Sequence, residues 1–150
     1  MAERLMSIRL RMEKLNDVAY ISVFVAIKFL VAYLFTLVAL EYLGRSIMSD
    51  TPEWGTRTQA FITIVLLGPL VETYFCQYLF FKYLLRHLSG GVIILLSAIV
   101  FALLHAYNSV YVLYAFFSGL LLSLSYYYRL NSHPFVFAFL IHSVYNLLTF

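Results

Sequence analysis

The stretch Gly68-Pro69-Leu70-Val71-Glu72-Thr73-Tyr74-Phe75-Cys76-Gln77 sets a single carboxylate inside a long apolar run. Glu72 is the only acidic residue between Glu53 and the C-terminus. An ionised group at the centre of a membrane helix costs about 2.5–3.5 kcal/mol on insertion scales, so such a residue faces a protein interior or a wet cavity. Two readings follow: Glu72 has a chemical task there, or it sits near a helix end or stays protonated and hydrogen-bonds a neighbouring helix. Pro69, three residues earlier, lacks an N–H and should kink the helix or start a new segment, freeing carbonyls that hold water near the carboxylate.

The rest of the composition agrees with a bilayer setting. With 63% hydrophobic and 11% charged residues, the chain lies far from the roughly 25% charged content of soluble domains, and it reads as an all-α, polytopic membrane protein. The formal charge of +3 does not point to nucleic acid, because the basic residues flank apolar spans and serve as topology and headgroup signals towards the lipid bilayer. A single cysteine, Cys76, excludes an intrachain disulfide framework and a thiolate metal cluster; it reads as a small packing group, not a nucleophile.

Working outward, residues 1–17 place Leu5, Ile8, Met12 and Leu15 on one helical face, the pattern of an interfacial helix. About five transmembrane helices follow, within one domain of residues 1–150: Val18 to Leu43, Thr58 to His87, Val92 to Ala106, Tyr111 to Tyr128 and Phe135 to Phe150, the last of them short. Residues 58–150 hold the core of the polar constellation. Gly44 to Arg57, with Asp50, Pro52, Glu53, Gly55 and an interfacial Trp54, reads as a loop. Lys28 interrupts the first span and either snorkels to the interface or faces the bundle. Tyr126, Tyr127 and Tyr128 read as an aromatic belt, and His87 and His133 as solvated loop residues. Arg4, Arg9, Arg11, Lys14, Lys82, Arg86 and Arg129 fall on one side of this arrangement, which places the N-terminus in the cytoplasm of a multi-pass cell-membrane protein.

Three helices carry the informative polar residues: Glu72, then His105, then His142 with Asn146 one turn later on the same face. Singly, each has an ordinary role as interhelical glue. Together they supply a carboxylate able to act as base, an imidazole to share or orient a proton, and donors for a developing oxyanion, a set suited to acyl hydrolysis.

In order and spacing these residues resemble the CAAX-protease and bacteriocin-processing (Abi) family of glutamate-type intramembrane proteases, whose pattern is Glu-Glu-x3-Arg, Phe-x3-His and His-x3-Asn. The second motif matches as Phe101-Ala102-Leu103-Leu104-His105 and the third as His142-Ser143-Val144-Tyr145-Asn146. The first is partial, as Glu72-Thr73-Tyr74-Phe75-Cys76-Gln77. Gly119 and Arg129-Leu130-Asn131-Ser132-His133-Pro134 extend the likeness, which covers roughly Phe61 to the C-terminus. The resemblance implies that Glu72 activates a water for attack on a peptide carbonyl, that His105 orients the water, and that His142 and Asn146 line the oxyanion hole. It implies a membrane-associated peptide or protein as substrate and metal-free hydrolysis, although a Glu/His/His set also suits zinc.

Thr73 and Gln77 stand where the family carries its second glutamate and its arginine. Both charges are gone together, and the two residues are expected to offer each other a neutral hydrogen bond at i,i+4. The alternative from another class is a non-catalytic membrane scaffold or bacteriocin self-immunity protein that keeps the same fold.

Overall fold

The computed structural model describes residues 2–44 and 55–150. The loop residues Asp50, Pro52, Glu53 and Trp54 lie outside that range. Six helices make up the described chain: α1 (Ala2–Glu13), α2 (Asp17–Leu43), α3 (Arg57–Leu84), α4 (Gly90–Leu104), α5 (Ser109–Tyr128) and α6 (Pro134–Thr149). This is an all-α membrane protein. Three of the helices, α2, α3 and α5, are long and apolar enough to cross a bilayer. The remaining two apolar helices have 15 and 16 residues, about 23–24 Å at roughly 1.5 Å per residue, short of a ~30 Å hydrocarbon core.

Local chemistry sets the ends. The Asn16 side chain accepts from Ala19 N at 2.8 Å and starts α2, and Gly44 closes it in the left-handed region, donating its N–H to Leu40 O. Thr56 and Gln59 form a capping box at the start of α3. Asn108 caps α5 through Tyr111 N, and Pro134 opens α6 after His133, whose φ of 52° turns the chain into the helix.

Helix α5 is the axis of the bundle, packed between α2, α4 and α6. Gly119 permits its close approach to α4: a Cβ there would stand 3.0 Å from Phe101 Cβ and 3.1 Å from Ala98 Cα. Ser97 Oγ bonds both Cys76 O, at 2.5 Å, and Ser123 Oγ, at 2.6 Å, and so ties α3, α4 and α5 together. Tyr20 donates to Ser125 O at 2.7 Å, joining α2 to α5.

Arg9, Lys82, Arg86 and Arg129 gather at one end of the bundle, whereas Arg57 starts α3 at the other and Lys28 lies within it. Arg129 lies 4.4 Å from the ring centres of Tyr20 and Phe137, donates to Leu15 O at 2.7 Å and reaches Asp17 at 3.4 Å. Arg9 stands over Tyr127 and Asn131 donates to Glu13, so α1 folds against the α5–α6 turn. Tyr126 and Tyr128 are buried, Tyr126 stacked on Phe81 and Tyr128 against Phe24; packing claims them before an interfacial belt does. His87 and His133 are exposed, as expected. The outer faces of α2 and α3 expose Leu30, Leu34, Leu37, Leu66, Leu67 and Phe75 among other apolar side chains, a surface suited to acyl chains.

Candidate active site

Helix α3 changes register around Glu72. Ile62–Leu67 and Thr73–Tyr78 are π-helical and flank one α-helical turn, Gly68–Glu72. Gly68 donates its N–H to Thr63 O, five residues back. In that register the next donor is Pro69, which has none, so the Ile64 carbonyl loses its helical partner. Asn146 replaces it, its Nδ2 donating to Ile64 O at 2.8 Å. The expected kink therefore takes the form of widened turns, and a side chain of α6 bonds the freed carbonyl. Gly68 is required here for space: a Cβ would lie 2.9 Å from Thr63 O and 3.5 Å from Glu72 Oε1.

The structure brings the two histidines to opposite oxygens of one carboxylate. His105 Nε2 lies 3.6 Å from Glu72 Oε1, and His142 Nδ1 lies 3.6 Å from Glu72 Oε2. Neither distance is a hydrogen bond. His105 follows the last residue of α4, and its Nδ1 is 2.8 Å from Phe101 O. A carbonyl oxygen only accepts, so Nδ1 carries the proton and, in the neutral ring, Nε2 presents a lone pair towards Glu72. Phe101 also stacks on the imidazole at 4.4 Å and 23°, which explains the Phe-x3-His spacing: one residue supplies both the acceptor and the aromatic face. His142 is buried and its Nδ1 has no hydrogen-bond partner within the described residues.

Thr73 and Gln77 do not form the expected pair. Both are fully buried, and Thr73 Oγ1 and both amide atoms of Gln77 have no hydrogen-bond partner among the described residues. The expectation assumed the i,i+4 stacking of an α-helix, whereas both residues belong to the second π-helical segment. Cys76, between them, is fully buried and packs in the core.

Glu72, His105, His142 and Asn146 all line one cavity of about 840 Å³. Its position follows from the helix lengths. Helix α4 enters from the basic end and stops at the depth of Glu72, and α6 ends near the start of α3, where Phe150 meets Phe61 edge to face. Residues of α2 and α3, among them Lys28, Tyr33, Thr63 and Glu72, line the space beside these ends. The walls are largely aromatic, with Tyr111, Tyr114 and Tyr145, and the Tyr114 hydroxyl donates to that of Tyr145 at 2.9 Å.

Lys28 also faces this cavity, settling the choice between snorkelling and burial in favour of the bundle. A signal for this exists in the sequence: Lys28 lies about 16 Å along α2 from its start, deeper than a lysine stem reaches back.

Fold and site together define a membrane-embedded helical protein organised around a half-buried carboxylate with two facing imidazoles. Residues 54–148 match the type II CAAX prenyl endopeptidase Rce1-like family, and the chain belongs to that family of membrane peptidases. No curated protein and no solved structure matches the chain.

Proposed function

We propose that this protein is an intramembrane endopeptidase that hydrolyses a peptide bond of a membrane-associated substrate with a water activated by Glu72. The observation that carries the reading is the carboxylate held between His105 Nε2 and His142 Nδ1 at 3.6 Å each, inside a cavity large enough for a peptide segment. Two acceptors facing each other, Glu72 Oε1 and His105 Nε2, suit a water that donates one hydrogen to each and keeps a lone pair for attack. The water oxygen bonds to the carbonyl carbon, Glu72 takes the proton, and the carbonyl oxygen becomes an oxyanion. Collapse restores the carbonyl, the C–N bond breaks, and Glu72 passes the proton to the departing amine. In this reading His142 stabilises the oxyanion together with Asn146, which has a second N–H beyond the one given to Ile64.

The clustering of Arg9, Lys14, Lys82, Arg86 and Arg129 at one end supports a cytoplasmic N-terminus. A second reading, a non-catalytic scaffold or self-immunity protein with the same fold, is favoured by one observation: the neutral Thr73 and Gln77 of the first motif, whose side chains have no hydrogen-bond partner among the described residues. Cleavage of a quenched-fluorophore peptide library by purified protein decides between them. Under the peptidase reading Glu72→Gln and His105→Ala lose orders of magnitude in rate, while Cys76→Ala and chelator treatment leave it intact. Loss of activity on chelation with recovery on adding zinc would replace the mechanism with a metal-assisted one. Wild-type protein without cleavage above the Glu72→Gln background would favour the scaffold.

A further inference from the structure

Two charges lie deep in the described apolar spans, Lys28 on α2 and Glu72 on α3, and they line the same cavity. Lys28 is only 2% exposed. Its Nζ donates to Ser118 Oγ at 2.7 Å and stands 4.7 Å above the Tyr145 ring. Among the described residues no carboxylate lies within 4.0 Å of it. A hydroxyl and a ring face solvate an ammonium poorly, and a buried charge persists when an opposite charge shares its low-dielectric surroundings. The first motif contributes no cation to do this for Glu72, since Gln77 is neutral. Across the cavity, Lys28 and Glu72 each provide what the other lacks.

We propose that Lys28 is the counter-charge of Glu72: a positioning residue, supplied by a helix outside the family-matched residues 54–148, that holds the carboxylate as the anion the attacking water needs. The inference rests on the reading of Glu72 as the base. It makes α2 part of the active site and gives Ser118 and Tyr145 a task, which is to fix the ammonium on the cavity wall. Arginine, with a longer reach and a permanent charge, is the conservative replacement. Methionine matches the stem and removes the charge.

The test is a double-mutant cycle on the full chain in detergent micelles, with Lys28→Met, Glu72→Gln and both together followed by thermal unfolding, beside kinetics of Lys28→Met and Lys28→Arg on a cleavable peptide. Each single change leaves one charge in the cavity uncompensated and lowers the melting temperature, whereas the double variant is at least as stable as either single one. In the kinetics, Lys28→Met lowers kcat by about 10²-fold with KM little changed, and Lys28→Arg restores most of the rate. Additive melting losses overturn the proposal, as does Lys28→Met with undiminished kcat. So does a Lys28→Met variant whose KM rises for peptides with a free C-terminal carboxylate and not for their amides, because Lys28 would then be a substrate anchor. The melting cycle needs no substrate, so its outcome is separate from the peptidase reading. That reading fails if wild-type protein cleaves nothing or if Glu72→Gln still cleaves.

Discussion

Replacing Asn146 by alanine separates two roles that the same side chain fills. The amide gives one N–H to the Ile64 carbonyl, which the Pro69 ring has deprived of its helical donor, and it also borders the cavity. Losing that bond removes an interhelical contact worth about 0.6–2 kcal/mol in membranes. It also leaves a carbonyl unpaired inside the bundle, a cost of about 1–3 kcal/mol. The two figures describe overlapping effects, so Asn146→Ala should destabilise by about 1–3 kcal/mol. Pro69→Ala restores a backbone N–H directed at Ile64 O in the existing π-helical register, and should return much of that loss in the Asn146→Ala background while doing little or harm alone. Equilibrium unfolding in mixed micelles measures the four proteins, and a coupling of about 0.5–2 kcal/mol is expected. Cleavage assays on the same set divide structure from chemistry. If the clamp on α3 is the main task, the double variant recovers rate together with stability. If the second N–H is an oxyanion donor, the rate stays about 10²–10³-fold down after stability returns. Strict additivity of the unfolding free energies would refute the account of Pro69, Ile64 and Asn146 as one unit.

Gly119→Leu should force α4 from α5, because even a Cβ would stand 3.0 Å from Phe101 Cβ; a loss of about 1–3 kcal/mol and a drop in cleavage are expected together, since Phe101 holds His105. Thr73→Glu introduces an unpaired carboxylate at a fully buried position, and the longer, charged side chain of Gln77→Arg offsets it where the native pair makes no bond, so folded yield should be lowest for Thr73→Glu alone and higher in the double variant; additive losses would show that the introduced charges do not meet across the π-helical segment. Reporter fusions at the N-terminus and after Leu88 should give a cytoplasmic signal, and a fusion at the C-terminus the opposite one. Matching signals at residue 88 and the C-terminus would remove the orientation.

Helix positions were legible because apolar runs broken by Asn16, Ser89-Gly90 and His133-Pro134 carry their own punctuation, and α2 begins at Asp17, one residue before the Val18 expected. The identity of the polar set was legible too, since a carboxylate and histidines stand out against apolar helices. Less could be read of how they are held. A π-helical segment is stabilised by partners elsewhere in the fold, here Asn146, which lies 82 positions from Ile64. The same reason hid the environment of Thr73 and Gln77, whose i,i+4 relation was reasoned for an α-helix. Lys28 owes its direction to Ser118, 90 positions away on α5. Tyr126 and Tyr128 carry a belt-like composition, yet Phe81 and Phe24 bury them.

The shortness of α4 and α6 bears on the bilayer itself. Leu95, Ile99 and Leu103 of α4 and Leu147 and Leu148 of α6 are exposed to lipid, yet the two helices span only about 23–24 Å. A span shorter than the hydrocarbon core is met by local thinning of the bilayer, by snorkelling of flanking residues or by association with a second helix surface. Where the response is thinning, headgroups and water come closer to the ends of α4 and α6, which border the cavity of Glu72. Acyl-chain length should then act on the site: cleavage in short-chain lipid vesicles is expected to exceed that in thick, sterol-stiffened ones, and equal rates in both would remove this consequence of the short helices.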